Sequence, residues 1–433
     1  MEAVTDRRLH AGGSTDDRLS ALPDDLLHRI LSFLPCQRTV QTTVLSKRWA
    51  GLWRSAPCIN INMVYFSTRS RHRWQKIEDL VTNFLIFHNA PVLDAFRIAM
   101  DGVIADDWLP AINRWVRRGI LGCPSVLEIE FFDTGIPNPP FGDTIRPGPF
   151  ELPDIGSTSS SRLKKLSLVG VSLGSSFAEL LRSGCPVLED LHLEDCCTEF
   201  NHIQSHTLKK LTIHICYRHS VGTLAIKAPA LVELVLDPDI SMPEYTQKNE
   251  FSLADGSTNS LVDAWVVFPN DMSPRSRVML LGSLSNVTKL ELTACFSAEL
   301  MLDNELGQFP IFSNMRALWL RGCVFGNRDG KCSTLDIFLQ KTPNLKKLTL
   351  EHQRPCCCKN TFQEAGRKKR KDKTSSRSLH CPDQKAFQCP NLKLIEIIYE
   401  ARYTDDHHEL QMFQVMRGLW RNLQQATFTV TKI

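Results

Sequence analysis

The feature that most limits how this chain can fold is a short apolar phrase, L-x-x-L-x-L, which recurs along most of its length. First positions fall at Leu93, Val126, Leu163, Leu188, Leu208, Leu231, Leu261, Val287, Met315, Leu345 and Leu392, at spacings of 33, 37, 25, 20, 23, 30, 26, 28, 30 and 47 residues. Alternation within a phrase puts every second side chain on one face, so each phrase predicts a strand with one face buried. An apolar triplet alone is weak evidence. With 42% apolar residues, one arises at roughly one position in fourteen by chance.

Two further features support the repeat. In four phrases a cysteine stands eight residues after the first position: Cys196, Cys216, Cys295 and Cys323. This resembles the Asn/Cys position of a leucine-rich repeat, where a small side chain fits inside the turn that leaves the strand. The lead-ins "CPSVLEIEF", "CPVLEDLHL", "APALVELVL", "TPNLKKLTL" and "CPNLKLIEI" place a proline where the return of one repeat must stop before the next strand begins. Each repeat is then strand, turn and a helical or irregular return, and stacking buries a leucine core that one repeat could not form. The segment "DTGIPNPPFGDTIRPGPFELPDIGSTSSS" predicts an extended loop between repeats.

The chain opens differently. In "LSALPDDLLHRILSFLPCQRTVQTTVLSKRWAGLW", Pro23 suits a first helical turn, and Asp24 and Asp25 face the positive end of the helix dipole. Leu26, Leu27, Ile30, Leu31 and Leu34 form an apolar face that ends at Pro35. A second phrase carries Val40 and Val44. A third, starting at Ser46 as N-cap, brings Leu45, Trp49, Leu52 and Trp53 to pack on the first two.

These residues resemble the F-box, in its plant form with a Val-Leu-Ser-Lys-Arg-Trp ending. The resemblance implies a helical unit that docks on the Skp-type adaptor of a cullin-based ubiquitin ligase. Leu22 and Pro23 match the family's leucine-proline motif, and Leu26, Ile30, Leu31, Val44, Leu45 and Trp49 match its apolar positions. The fold class expected is therefore α/β: a three-helix F-box, then an irregular leucine-rich-repeat solenoid with a parallel sheet on its concave face. The expected boundaries are 1–15 for a disordered N-terminus, 16–60 for the F-box and 61–390 for the repeats with a basic insertion at 354–380. Residues 391–433 would form the last repeat and a cap, which weakly resembles the FBD module of plant F-box proteins.

Composition narrows the function classes. The charge of +4 is local, because "RKKRKDK" alone supplies +5 and leaves the remainder near −1. Arg367, Lys368, Lys369, Arg370 and Lys371 are either a solvated insertion or a nuclear import signal. No aromatic residue is interleaved with them, which argues against nucleic-acid binding. Fifteen cysteines, an odd count in a long chain opening on polar residues, point to reduced thiols. No run reaches the roughly 18 apolar residues of a membrane span, so the expectation is a soluble intracellular protein, nuclear, cytoplasmic or both.

A search for chemistry finds no phosphate-binding glycine loop, no H-E-x-x-H and no C-x-x-C. Cys356, Cys357 and Cys358, with His352, His380, Cys381 and Cys389, have poor spacing for zinc. Asp405 to Glu409 is accounted for as helix capping ahead of Leu410, Phe413 and Met416. No cofactor, metal or catalytic residue is expected, and the chain reads as a non-catalytic adaptor. The target would lie on the concave face, where alternation places His192, His214, Trp265, Trp319 and Arg321 beside Lys165, Ser167 and Val267.

Overall fold

The computed structural model describes residues 19, 21–64, 71–101, 107–132, 150–156, 160–214, 216–218, 222–238, 250–254, 259–268, 272–294, 309–322, 334–352, 389–399, 423 and 425–432. The basic run, Cys295, Cys323, Cys356, Cys357, Cys358, His380, Cys381, the 405–416 segment and residues 1–15 lie outside them. The fold is mixed α/β, a helical N-terminal region followed by parallel strands.

The front comprises α1 (Asp24–Leu31), α2 (Cys36–Gln41), a 3₁₀ turn (Thr42–Val44) and α3 (Trp49–Leu52). It differs from the sequence reading in three places. α1 ends at Leu31 with Ser32 as its C-cap, and Pro35 instead opens α2 as its N-cap, so the proline starts a helix rather than stopping one. α3 is a single turn capped by Arg48, not a helix from Ser46. Leu45 is exposed, while Trp49, Leu52 and Trp53 pack inward.

The main sheet has thirteen strands among the described residues, every neighbouring pair parallel and in chain order. These are β1 (Cys58–Asn62), β2 (Ala95–Asp101), β3 (Val126–Phe132), β4 (Lys165–Val169), β5 (Asp190–Glu194), β6 (Lys210–His214) and β7 (Glu233–Asp237). They continue with β8 (Asp263–Val267), β9 (Lys289–Ala294), β10 (Ala317–Gly322), β11 (Lys347–His352), β12 (Leu394–Tyr399) and β13 (Thr427–Lys432).

Ten of the eleven first positions lie two residues before a strand and are buried, as Leu188, Leu208, Leu231, Val287 and Leu345 illustrate. The exception is Val126, which pairs in register with Lys165 and is therefore two residues late; buried Pro124 holds the place of Leu163. β1 was missed because its core residues are Ile59 and Ile61 set among asparagines, with no leucine.

Two smaller parallel sheets build the turns. One contains Phe150–Glu151, Val171–Leu173, Cys197–Thr198 and Tyr217–Arg218; the other contains His202–Gln204, Thr223–Lys227 and Glu250–Leu253. Phe150 and Ile155 are buried, so the end of the expected extended loop is part of the core.

After β4 the chain turns through Gly170 at φ +66°, where an added Cβ would lie 2.2 Å from the Phe131 carbonyl oxygen. Asp195 takes the equivalent place after β5 at φ 50°, a conformation that Asp tolerates better than most residues. Cys196 then drops into the core, its thiol donating to the Leu168 and Glu194 carbonyls at 3.3 Å each. Cys216 occupies the next repeat and is buried too, which accounts for two of the four cysteine positions.

Returns between strands include α4 (Arg71–Phe87), α5 (Leu109–Leu121), α6 (Ser176–Glu179), α7 (Pro274–Ser283) and α8 (Thr334–Lys341). Trp74, Ile77, Val81 and Phe84 recur at helical spacing along α4 and face inward. Trp74 stacks on Trp108 at 4.4 Å between ring centroids.

The front is continuous with this core. Trp53 stacks on Phe84 at 5.1 Å, and buried His88 meets the Ala56 carbonyl at 2.8 Å through Nε2. Burial pulls the His88 pKa down.

Candidate functional site: a helical front and a sheet face

Two surfaces carry the residues singled out in the sequence. On the front, burial sorts the eight apolar positions. Leu31 and Trp49 are core residues, at 2% and 1% exposure, and hold the helices together; in this conformation they present no surface to a partner. Leu22 and Ile30 are half-buried and Pro23 is exposed. Leu26 (46%), Leu45 (53%) and Val44 (85%) are uncovered. Phe33, which sequence reasoning did not single out, is 73% exposed. Its signal was its place just past the end of α1, out of step with Leu27 and Leu31.

An ion pair between Arg48 and Asp24, with Nε 3.1 Å from Oδ1, ties the turn before α3 to the start of α1. Both side chains are more than a third exposed. The pair therefore contributes little stability, under about 1 kcal/mol, and its role is geometric. Cys36 lies beneath the front, its thiol pushed up to about 12 by burial, which keeps it protonated.

The second surface is the face of the sheet opposite the leucines. Strand register sets its side chains in rows. One row runs Glu128, Ser167, His192, Thr212, Val235, Trp265, Glu291, Trp319, Thr349 and Glu396 across β3 to β12. A depression of about 340 Å³ lies over β4 to β7, lined by Lys165, Asp190, His192, Lys210, Thr212 and Glu233 among others. Ser167 and Val267, expected to point outward, are only 6% and 4% exposed; Ser167 lines the floor of the depression, and Val267 lies outside it on β8.

His192 Nε2 lies 3.0 Å from Glu194, and His214 Nε2 lies 3.1 Å from Asp237. Toward β10 the expected anchors are assembled and braced. Arg321 pairs with Glu291 at 3.2 Å and Glu351 at 3.0 Å, and its guanidinium sits 4.7 Å from the Trp319 ring centroid and 5.9 Å from that of Trp265. The indole of Trp319 donates to Glu351 at 3.1 Å and that of Trp265 to Thr293 at 3.4 Å. Both rings remain half-buried. Burial raises the Glu291 carboxyl above the usual range, with Arg321 opposing the shift.

Of the weak zinc candidates, Cys389 is buried and donates to the Leu339 carbonyl at 3.1 Å; burial pushes its thiol up to about 11. Among the described residues no three His, Cys, Asp or Glu side chains converge to hold a metal, and no helix is long and apolar enough to cross a membrane.

A helical front with uncovered apolar side chains, followed by stacked parallel repeats, defines a leucine-rich-repeat-type α/β protein. Residues 19–59 match the F-box domain family, and residues 148–258 match the leucine-rich repeats described for the FBD-associated F-box protein At5g56370. The MEIOTIC F-BOX protein MOF of Oryza sativa subsp. japonica is 31% identical, over 96% of this chain and 87% of that protein. The F-box/FBD/LRR-repeat proteins At1g13780 and At1g78750 of Arabidopsis thaliana are 29% and 28% identical, over 78% and 81% of this chain and 79% and 80% of theirs. The chain belongs to the plant F-box/leucine-rich-repeat family.

Proposed function

We propose that the chain is the substrate-recognition subunit of a Skp–cullin–F-box-type ubiquitin ligase. A three-helix F-box spanning 16–60 docks on the Skp-type adaptor, and through it on a cullin. The repeats at 61–390 hold a target protein on a concave inner face, and residues 391–433 close the stack as an FBD-like cap. The observation that carries this reading is the uncovered set Leu26, Phe33, Val44 and Leu45 on the unit that matches the F-box. Large apolar side chains left in water on so small a unit are accounted for by a partner. Leu22, Pro23 and Ile30 flank that surface, with Leu31 and Trp49 supporting it from beneath.

The mechanism is proximity. Holding the target raises the effective concentration of its lysines near a ubiquitin-charged enzyme supplied by other subunits, and this chain adds no bond chemistry. On the inner face, His192, His214, Trp265, Trp319 and Arg321 are the proposed contacts. On this reading the basic run at 367–371 serves as a nuclear import signal, and the chain works in the nucleus, the cytoplasm or both.

A second reading, a repeat scaffold whose front is only a cap, draws on the Trp53–Phe84 stack that joins the front to the repeats. Co-precipitation with adaptor and target separates the two. Leu22→Ala with Pro23→Ala should lose the adaptor and keep the target. Retained adaptor binding by a folded variant refutes the docking assignment, and loss of both partners favours the cap.

A further inference from the structure

The sheet face treats its charges unevenly. Its described cations are Arg97, Lys165, Lys210, Lys289, Arg321 and Lys347, and each is already paired on a neighbouring strand. Arg97 and Lys165 share Glu128 at 2.7 and 2.8 Å, Lys210 meets Glu233 at 2.7 Å, and Lys289 meets Asp263 at 4.0 Å. Arg321 is held by Glu291 and Glu351, and Lys347 by Glu396 at 2.8 Å. The carboxylates are not exhausted in the same way. Glu194 faces a histidine, and the Glu130 carboxylate makes no side-chain hydrogen bond or ion pair among the described residues, with His192 and Lys165 attracting it only at longer range.

Register places this surplus in one row. At the C-terminal ends of the strands, Glu130, Val169, Glu194 and His214 lie side by side with no lysine or arginine among them. Two strand spacings separate Glu130 from Glu194, about 10 Å between backbones. Buried Val169 forms an apolar floor between them. The row at the other end of the same strands, Lys165, Asp190, Lys210 and Glu233, alternates in sign instead.

We propose that this face, on the reading that the target sits there, takes an extended Lys/Arg-rich segment of the target, with one basic side chain lying over Val169 between Glu130 and Glu194. The aliphatic stem of such a side chain covers the valine while its charge reaches both carboxylates. The adjoining depression gives neighbouring side chains room. Burial, followed by the charge of Glu128, holds the Glu130 pKa above the usual carboxylate range, so an arriving cation relieves an existing cost. The chain already contains the same arrangement at Arg321, a guanidinium set against an indole between two carboxylates. An acidic segment would find every described cation of the face engaged.

The test is selection of random dodecamer peptides on the full-length chain, followed by affinity measurement on the wild type, on Glu130→Gln/Glu194→Gln, and on Glu179→Gln as a control away from the face. Selected peptides should be rich in lysine and arginine, weaken about tenfold in the double variant and weaken further with salt. The control should bind like the wild type. Neutral or acidic peptides that lose affinity when Trp265 or Trp319 is replaced by alanine would overturn the charge assignment yet leave the face as the target site. Basic peptides that bind the double variant as tightly as the wild type would also overturn it. Absence of any peptide sensitive to substitution on this face would overturn both this inference and the target-binding reading beneath it.

Discussion

Trp319 donates its indole N–H to Glu351 Oε2 at 3.1 Å, and the same oxygen accepts from Arg321 Nε at 3.0 Å. One carboxylate thus fixes both the aromatic plate and the cation that stacks on it. Such bracing would lower the entropic cost of presenting Trp319 to the proposed target.

Arg321→Met would remove the cation that Glu291 and Glu351 share. Their side chains are only 14% and 9% exposed, so the loss should be on the order of 2 kcal/mol at pH 7.5. The sign of its pH dependence follows from Glu291. Its folded pKa is already raised and would rise further without Arg321, so the folded state binds protons more readily than the unfolded state. The deficit should therefore be largest above the raised pKa and shrink as pH falls through it toward the ordinary carboxylate value. Urea unfolding of both chains at pH 7.5 and pH 5 checks this; a deficit that grows on acidification would contradict it.

Leu191→Asp puts a carboxylate among the stacked leucines. Leu191 is fully buried and lies between Leu166 and Leu211 in register. A loss of several kcal/mol is expected, with neighbouring repeats loosening together. Limited proteolysis should show earlier cleavage on both sides of β5. Wild-type resistance would contradict the register.

Gly170→Ala combines a left-handed backbone with a Cβ 2.2 Å from the Phe131 carbonyl oxygen. Relief requires moving β3 or the turn after β4, and a destabilisation of about 2 kcal/mol or more is expected. Thermal unfolding measures it. An unchanged midpoint would mean that the turn opens at no cost.

The repeat was legible because burial in a parallel sheet is periodic: Leu188, Leu191 and Leu193 announce a strand on their own. The register slipped at Val126 because "CPSVLEIEF" contains an apolar residue at each of two candidate positions, and only pairing with Lys165 decides between them. Strands such as His202–Gln204 and Glu250–Leu253 were not legible, since short segments without a leucine phrase gain their identity from neighbours. On the front, type of residue was visible and exposure was not. Leu26 and Leu27 are adjacent leucines of one helix, yet one is in water and the other in the core, and only the packing of α3 against α1 separates them. Trp265, Trp319 and Arg321 were placed on one face by alternation alone, but their bracing by Thr293, Glu291 and Glu351 depends on strands up to 32 residues away in sequence.

Replacing Arg367, Lys368, Lys369, Arg370 and Lys371 by alanine should lower the nuclear fraction of a fluorescent fusion if the run is read by import factors. The thermal midpoint of the purified chain should stay within about 2 °C of the wild type, so that a fall in the nuclear fraction is not an effect of unfolding. An unchanged distribution would leave the run with no import role.

If the helical front binds an adaptor through the side chains it leaves uncovered, Leu26→Glu with Val44→Glu should destroy that surface. Both residues are exposed, and a glutamate in the first turn of α1 suits the helix dipole, so the front should keep its fold. The measurement is the dissociation constant of the full-length chain for a purified Skp-type adaptor, with thermal unfolding run in parallel. A loss of about hundredfold or more is expected, with an unchanged unfolding midpoint. An unchanged dissociation constant in the folded double variant would contradict it.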